Sequence, residues 1–354
     1  MPDQVAAIRD LIRGWSPRSQ LVVMRHGERI IDLAEGVTPD DRFFLFSASK
    51  AFATVLALQL ADDGAVDLDA PIAEVWPEFA EGGKGGITLG DVLRHRTGLP
   101  AAGSVVGDVF TMHDSERLLR RIERARPMRR YDPANGAAYQ YLLHGPIIAE
   151  VARRVTGVGF PELVRRRILD PLGLERARIG LAPGERAVRM RGDFPGGLVA
   201  SAYLNRRRIL EAVIPSAGVT MPARELATFY AALLADLRGE GPGLVSARRL
   251  AAALEPTNDG GVDLFLRRPV AWATGFQLGG ERTVPRYAPP FGYRSTELTF
   301  GHNGSYVCLA WADVERDLVM ALCTDRVPTR EVGRRQAAAV SDAVFAYADG
   351  VEAD

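Results

Sequence analysis

The chain is poor in cysteine, lacks any long apolar segment and carries no excess of either charge. Its 354 residues include only Cys308 and Cys323, whose spacing suits neither a disulfide scaffold nor a cysteine-ligated zinc site. The 44 basic and 44 acidic residues cancel, which argues against nucleic acid and anionic membrane as partners. No apolar run reaches spanning length, and Met1 to Trp15 lacks the pattern of a signal peptide. We therefore expect a cytoplasmic protein with both cysteines buried.

Lysine is also scarce, and this scarcity draws attention to two positions. Of the 44 basic residues only Lys50 and Lys84 are lysines, and the other 42 are arginines. An arginine side chain is never neutral in a protein, whereas a desolvated lysine loses its proton readily. A lysine that is retained in such a chain therefore suggests a need for deprotonation. Lys84 lies in the glycine-rich stretch 82–86, where we expect a mobile surface side chain, so the chemical interpretation applies to Lys50.

Strand patterns occur near both ends of the chain, and helical patterns dominate the middle. This order predicts an α+β fold, an α/β sandwich with an antiparallel sheet built from both termini. We expect residues 1–46 and 265–354 to form the sheet and its flanking terminal helices, residues 47–264 to form a mostly helical inserted region, and the active site to lie between them. The predicted strands are Leu21–Met24, Arg29–Leu33, Tyr306–Trp311 and Leu318–Thr324, and the predicted helices include Ser47–Asp62, Leu142–Val155, Pro161–Leu169, Ala223–Leu237 and Glu331–Tyr347.

The pair Ser47 and Lys50 is the strongest chemical signal in the sequence. Residues three apart on a helix share a face with Cβ atoms ~5–6 Å apart, so the lysine amine can reach the serine hydroxyl. The positive end of the helix dipole and burial would both lower the pKa of the lysine, and a neutral amine beside a serine activates it as a nucleophile. The alternative is a serine that caps the helix and a lysine exposed on its first turn. A lysine is unfavourable there on dipole grounds, and this chain uses arginine as its ordinary cation.

Several further motifs, in order along the chain, make it similar to the serine β-lactamase and penicillin-binding-protein superfamily. The similarity is greatest to class C β-lactamases and family VIII carboxylesterases. It extends over roughly residues 20 to 345, and its order and spacing agree with that superfamily. The motifs are Phe44–Lys50 around the nucleophile, Leu93–Pro100, Tyr139-Gln140-Tyr141 in place of Tyr-x-Asn, Ser216-Ala217-Gly218, and Gly301–Ser305 leading into a strand in place of Lys-Thr-Gly.

The resemblance implies a role for each matching residue. Ser47 and Lys50 would be nucleophile and base, and Tyr139 would complete the base system, with a phenol that hydrogen-bonds Lys50 and is able to ionise. The backbone amides of Ser47 and Ser305 would form the oxyanion hole. His95 would be a structural hydrogen-bonding residue rather than a catalyst. No metal and no organic cofactor is implied.

Two departures from the family pattern bear on the substrate. Tyr141 stands where the family has asparagine, and His302 stands where it has a lysine that attracts substrate carboxylates; with Asn303 and Gly304 they are the expected substrate-binding residues. A histidine is mostly neutral at pH 7 and attracts a carboxylate less. We therefore predict a serine hydrolase that cleaves uncharged carboxylic esters through an acyl-enzyme. The alternatives on the same fold are a β-lactamase, a D-aminopeptidase or amidase, an acyltransferase, and a non-catalytic penicillin-binding-like sensor.

Overall fold

The computed structural model describes residues 2–280, 289 and 291–350. The predicted outer segments 1–46 and 265–354 also include residue 1, residues 281–288, residue 290 and residues 351–354, which lie outside the described residues. No helix within the described ranges is long and apolar enough to cross a membrane.

The described strands are mostly short, and the longest lie near the two ends of the chain. Their bounds are β1 (Ser19–Arg25), β2 (Glu28–Glu35), β3 (Phe43–Phe44), β4 (Arg178–Ile179), β5 (Arg191–Gly192), β6 (Val219–Met221), β7 (Val262–Asp263), β8 (Arg268–Pro269), β9 (Ala271–Trp272), β10 (Gln277–Leu278), β11 (Thr299–Gly304), β12 (Cys308–Asp313), β13 (Leu318–Thr324) and β14 (Arg326–Val327).

The helices occupy both ends of the chain and most of its middle. Their bounds are α1 (Pro2–Trp15), α2 (Lys50–Asp62), α3 (Leu89–Leu93), α4 (Val105–Thr111), α5 (Ser115–Arg124), α6 (His144–Thr156), α7 (Phe160–Val164), α8 (Pro195–Leu204), α9 (Arg207–Leu210), α10 (Ala223–Leu237), α11 (Ala247–Leu254) and α12 (Arg330–Asp349). Short 3₁₀ turns cover Phe46–Ser49, Ile72–Glu74, Pro77–Gly83 and Pro133–Asn135, and a π-helical turn covers Arg165–Leu169.

A seven-stranded antiparallel sheet joins the two ends of the chain. Its strand order is β2-β1-β13-β12-β11-β10-β9. Strand β1 pairs with β13 in a register that runs from Ser19 opposite Thr324 to Arg25 opposite Leu318. The predicted α+β fold, with a sheet built from both termini and a largely helical segment between them, is therefore confirmed. Three smaller sheets, β3-β6-β4, β7-β8 and the parallel pair β5-β14, were not predicted.

Alternating side chains of the sheet enter two separate cores, as the period of a strand requires. In β13, Met320 and Leu322 pack in the core with helices α1 and α12, where Trp311 stacks on Phe345 with ring centroids 4.4 Å apart. The neighbouring Ala321 belongs to the larger core, which also contains α2, α6 and α10. The sheet is therefore covered on both faces, and its larger core carries the helix that follows Ser47.

Helix α2 is buried on every side. All residues from Lys50 to Ala61 are buried, so no face of the helix meets solvent. A helix enclosed in this way lies at the centre of a large core rather than on its surface. The side chain of Lys50 therefore enters the protein interior at the first turn of this helix.

Two sequence predictions need correction. The strand expected at Tyr306–Trp311 begins only at Cys308, because Ser305 and Tyr306 have φ values of +53° and +57° and form the turn of the β11–β12 hairpin. The side chain of Lys84 was expected at the surface but is completely buried. Its amine donates to the carbonyls of Glu81, Glu123 and Ala125, the last two at 2.8 and 2.6 Å. Three converging carbonyls suit the three donors of an ammonium and not a planar guanidinium.

The two cysteines are free and buried, as expected. They lie opposite each other in neighbouring strands, Cys308 in β12 and Cys323 in β13. Burial raises the pKa of the Cys323 thiol, which keeps it protonated and unreactive.

Candidate active site

Ser47 lies in a short turn that the backbone holds in an uncommon conformation. The 3₁₀ turn Phe46–Ser49 leads directly into α2, and Phe46 has φ +51°, a left-handed value that a bulky residue rarely adopts. The surrounding packing fixes this geometry, because Phe46 is buried and its ring contacts that of Phe44 edge-on at 5.1 Å. The result is a serine hydroxyl that faces a cavity while the residues on either side of it are buried.

The amine of Lys50 has three oxygen neighbours. Its Nζ lies 3.2 Å from Ser47 Oγ, 2.9 Å from the carbonyl oxygen of Tyr141 and 3.4 Å from that of Ser216. Complete burial lowers the pKa of Lys50 from 10.5 to about 7. A neutral amine has two N–H groups and one lone pair. The two N–H groups donate to the two carbonyls, and the lone pair is then directed at the serine hydroxyl. This arrangement suits abstraction of the Ser47 proton.

Tyr139 contacts the nucleophile rather than the lysine amine. Its phenol is hydrogen-bonded to Ser47, whereas Lys50 Nζ lies over the face of its ring, 4.9 Å from the centroid. Burial raises the pKa of Tyr139 far above its usual value, so the phenol stays protonated. The structure therefore places the phenol on Ser47 instead of on the Lys50 amine, and burial favours its protonated form. The protonated phenol acts as a donor to the serine oxygen.

Asp263 holds the backbone of Tyr139 in place. Its carboxylate accepts from the Tyr139 amide at 3.0 and 3.2 Å, from the Phe265 and Leu266 amides at 2.9 and 2.8 Å, and from Trp272 Nε1 at 3.2 Å. The indole of Trp272 in turn stacks on the Tyr139 ring, with centroids 5.4 Å apart and planes 8° from parallel. Asp263 has no recognisable sequence motif, because its partners come together only in the folded chain.

His95 lies behind Tyr139 and has a structural environment. Its ring is buried and packs edge-on against Tyr139, with ring centroids 4.8 Å apart. Its Nδ1 accepts from the backbone amide of Gln140 at 3.3 Å, and its backbone carbonyl accepts from the Ala138 amide at 2.8 Å. Burial lowers the pKa of His95 well below 6.5, so the ring is neutral. The residue thus braces the segment that carries Tyr139.

Ser216 connects two segments behind the lysine. Its hydroxyl donates to the Leu142 carbonyl at 2.8 Å and accepts from the Gly145 amide at 2.7 Å, and its carbonyl reaches the amine of Lys50. A Cβ at Gly145 would lie 2.4 Å from backbone atoms of Pro215 and Ser216, so only glycine allows this approach. The motif at 216–218 was noted in the sequence, but its contact with Lys50 was not foreseen.

The strand that carries the third motif closes the site on the other side. Gly304 must be glycine, because a Cβ there would lie 2.0 Å from the carbonyl oxygen of Leu45. Asn303 and Ser305 line the same cavity as Ser47, and the side-chain oxygen of Asn303 accepts from the Tyr306 amide at 2.7 Å. The left-handed turn at Ser305 follows directly. The strand therefore places Asn303 and Ser305 beside the nucleophile, while Gly304 provides close packing.

His302 was expected to contact the substrate, but it does not line the cavity. Its ring is buried, its Nδ1 lies 3.0 Å from the Asn303 carbonyl, and burial together with the charge of Lys50 lowers its pKa to about 3. Because successive residues of a strand point to opposite faces, His302 points away from the face that Asn303 presents. The imidazole is neutral, as the sequence predicted, and supports the site from beneath.

The cavity in front of Ser47 has a volume of about 480 Å³ and mixed walls. Tyr139, Tyr141, Phe194 and Leu266 supply apolar surface, which includes the tyrosine that stands in place of the family's asparagine. Three arginines and one glutamate also line it, and these were not predicted from the sequence: Arg268, Arg330, Arg334 and Glu331. Arg268 donates to the hydroxyl of Tyr306, and Arg334 pairs with Glu331 at 2.6 Å. The cavity is therefore large enough for a small ester and basic at its rim.

Within the described residues, no three histidine, cysteine or acidic side chains come together as metal ligands. The donors near Ser47 are an amine, a phenol and backbone amides, which act on protons and on an oxyanion. The site therefore brings together a serine hydroxyl, a buried amine and a phenol, which are groups suited to nucleophilic and acid–base chemistry.

Comparison with known proteins gives a consistent result. The family model described as Beta-lactamase matches residues 6–345. The chain is 27% identical over 344 residues to "Esterase/beta-lactamase LipL" of Mycobacterium tuberculosis, covering 87% of this chain and 76% of that protein. It superposes on EstA from Arthrobacter nitroguajacolicus Rue61a with a TM-score of 0.79 and 26% identity, covering 98% and 96% of the two chains. It shares the fold of a family VIII carboxylesterase, with a TM-score of 0.76, 24% identity and coverage of 95% and 97%. The chain belongs to the beta-lactamase family and has the fold of its serine hydrolases.

Proposed function

We propose that this protein is a carboxylesterase that forms an acyl-enzyme on Ser47. The observation that carries the proposal is the environment of the Lys50 amine, which is fully buried, has a pKa lowered to about 7, and has two carbonyls as acceptors for its protons. Its lone pair is left for the serine hydroxyl 3.2 Å away. That is the arrangement that an activated serine requires.

The proposed reaction has two halves. Lys50 takes the proton of Ser47 as the serine oxygen attacks the ester carbonyl, and the backbone amides of Ser47 and Ser305 bind the developing oxyanion. The C–O bond to the alcohol then breaks, and the departing alkoxide takes up the proton that the Lys50 amine received from Ser47. Water attacks the acyl-enzyme by the same route and releases the acid.

The side chains that line the cavity support an ester as the substrate. Tyr141 replaces the amide that would hold an acyl-amide group, and together with Phe194 and Leu266 it offers apolar contact to an acyl or alkoxy chain. The similarity to an esterase/β-lactamase of Mycobacterium tuberculosis agrees with this choice.

A second candidate, β-lactam hydrolysis, is favoured by one observation. Arg268 and Arg330 line the cavity that contains Ser47. They supply positive charge that the buried, neutral His302 does not, and a penicillin carboxylate needs such a cation. This activity would use the same nucleophile and base.

Assays of two substrates side by side test both candidates. We expect the wild-type protein to hydrolyse p-nitrophenyl butyrate faster than a chromogenic cephalosporin. Ser47→Ala should lose at least ~10³-fold in ester turnover, because the nucleophile is gone. Lys50→Arg should lose at least ~10²-fold although it keeps the positive charge, because arginine cannot accept the proton.

The matched control is Ser246→Ala, the same substitution at the exposed start of α11. This variant should keep wild-type turnover. Mass spectrometry after treatment with a phosphonate ester should place the adduct on Ser47. An adduct elsewhere, or full activity in Ser47→Ala, would refute the proposal, and faster cephalosporin turnover would select the second candidate.

A further inference from the structure

Helix α8 has its apolar side facing outwards. The helix contains no charged residue, and Leu198 and Val199 are 59% and 72% exposed. Its buried positions are Gly197, Ser201 and Tyr203, and the Ser201 hydroxyl donates to the Leu198 carbonyl at 3.1 Å and accepts from the Gly192 amide at 3.2 Å. A surface helix of a water-soluble domain normally shows the reverse arrangement. This exposed face is therefore not explained by the packing of the chain itself.

Helix α4 shows the same inversion. Val106 and Phe110, one turn apart, are 66% and 58% exposed, whereas Asp108 is buried. The carboxylate of Asp108 accepts from the Ala102 amide at 2.7 Å and pairs with Arg121 at 2.9 Å. The polar group is thus satisfied inside, and the apolar side chains face solvent.

The two helices meet at the side chain of Tyr203. The ring of Phe110 on α4 packs edge-on against Tyr203 on α8, with centroids 5.2 Å apart, and the Tyr203 hydroxyl donates to the Val109 carbonyl at 3.0 Å. We call the exposed side chains of Val106, Phe110, Leu198 and Val199 the apolar lip. Exposed apolar side chains scattered singly need no explanation, but four on two adjoining helices mark an interaction site.

The apolar lip adjoins both the candidate active site and a pair of cations. Phe194, which begins α8, lines the cavity that contains Ser47. At the other end of α8, the exposed Arg206 and Arg208 hold their guanidinium groups 5.6 and 5.5 Å from the centroid of the Tyr203 ring. Neither arginine forms an ion pair with a carboxylate in the described part of the chain. Apolar side chains bordered by such cations match the chemistry of an anionic lipid surface.

We propose that the apolar lip docks the protein onto an anionic lipid surface, with Arg206 and Arg208 against the headgroups and the four apolar side chains among the acyl chains. The cavity of Ser47 then lies next to the lipid phase, from which apolar molecules can enter past Phe194. The zero net charge of the whole chain, which argued against such a partner, does not describe this local surface. The inference stands apart from the proposed esterase activity, because docking requires neither Ser47 nor Lys50.

The charge arrangement selects the lipid surface over a second copy of the chain. The lip of a second copy consists of apolar side chains and offers no carboxylate to Arg206 or Arg208, neither of which is ion-paired within the described residues. Like charges in contact oppose association, whereas phosphate headgroups neutralise them.

Co-sedimentation with vesicles tests the proposal. We expect the full-length wild-type protein to bind vesicles of pure phosphatidylglycerol at least ~10-fold more tightly than vesicles of pure phosphatidylcholine at low ionic strength. Leu198→Asp should weaken binding at least ~10-fold, because a charge replaces a side chain that enters the lipid. The double variant Arg206→Gln with Arg208→Gln should weaken binding to phosphatidylglycerol about 30-fold and leave binding to phosphatidylcholine unchanged.

The matched control is Leu11→Asp, which changes an exposed leucine of α1 away from the lip. It should bind as the wild type does, and so should Ser47→Ala, whose behaviour separates docking from esterase activity. Sedimentation velocity without vesicles should show the same monomer for wild type and Leu198→Asp. The proposal would be overturned if the wild-type protein bound neither vesicle type, or if Leu198→Asp bound vesicles with the affinity of the wild type. A wild-type dimer that this substitution dissociates would also overturn it, since the lip would then be an interface between copies.

Discussion

The titration of Lys50 near neutral pH should be visible in the stability of the protein as well as in its activity. Burial lowers the pKa of this amine from 10.5 to about 7. The difference corresponds to ~5 kcal/mol in favour of the neutral form in the folded protein. Burial also lowers the pKa values of the neighbouring His95 and His302, so both rings are neutral and add no charge beside the lysine.

The sign of the effect follows from proton linkage. The folded-state pKa lies below that of the unfolded chain, so between pH 7 and 10.5 the unfolded chain binds the additional proton. Stability then rises with pH, because deprotonation removes the cost of burying the charge. Integrating between pH 7 and pH 9 gives a gain of ~2 kcal/mol in the free energy of unfolding from this group alone.

Urea unfolding of the wild type and of Lys50→Met at both pH values measures that gain. The methionine variant has no titrating amine at position 50 but keeps every other group, including Lys84, whose pKa burial also lowers, to about 8. The wild type should therefore gain ~2 kcal/mol over Lys50→Met on going from pH 7 to pH 9. A stability difference that does not change with pH would refute a lowered pKa. A kcat/KM for ester hydrolysis that rises only above pH 9 would also refute a lowered pKa.

Three substitutions examine other parts of the site and its surroundings. Tyr139→Phe should lower kcat about 10²-fold in steady-state ester hydrolysis, because the Ser47 oxygen loses its hydrogen bond to the phenol, and a normal kcat would remove Tyr139 from the mechanism. Asp263→Asn should reduce the free energy of unfolding by ~2–4 kcal/mol in urea titrations and also lower kcat, because the new amide nitrogen would face backbone N–H donors. If neither quantity changed, Asp263 would not position Tyr139. Lys84→Met should cost ~3 kcal/mol of stability, since three buried carbonyls lose their donor, while kcat/KM stays within about twofold of the wild type.

The features that the sequence predicts well are those that depend on local periodicity. The apolar run Leu318–Thr324 predicted strand β13 with correct bounds, and the helical spacing in Ala223–Leu237 did the same for α10. The proximity of Ser47 and Lys50 also needs only one helical turn. Strand β11 and the turn at Ser305 were not predicted, because a turn with two left-handed non-glycine residues has no strong sequence signature.

The features that the sequence could not predict depend on contacts between distant segments. Lys50 meets the carbonyl of Tyr141, 91 residues away, and that of Ser216, 166 residues away. The inversion of α4 and α8 is of the same kind, because a short helix with apolar residues on one side looks like a normal surface helix until its neighbours are known. The sequence gives the apolar face, and only the fold shows whether that face is covered.

The comparison of the two lysines shows what the scarcity of lysine does and does not mean. Both side chains are completely buried, and burial lowers the pKa of both. All three hydrogen-bond partners of the Lys84 amine are carbonyl oxygens, so every contact favours the protonated amine. Arginine does not fit there because its planar guanidinium cannot match this arrangement of acceptors. Around Lys50 one of the three positions is the hydroxyl of Ser47, which can donate as well as accept. An unusual lysine therefore indicates a buried ammonium-shaped site, and it is the hydroxyl partner that makes Lys50, and not Lys84, the candidate base.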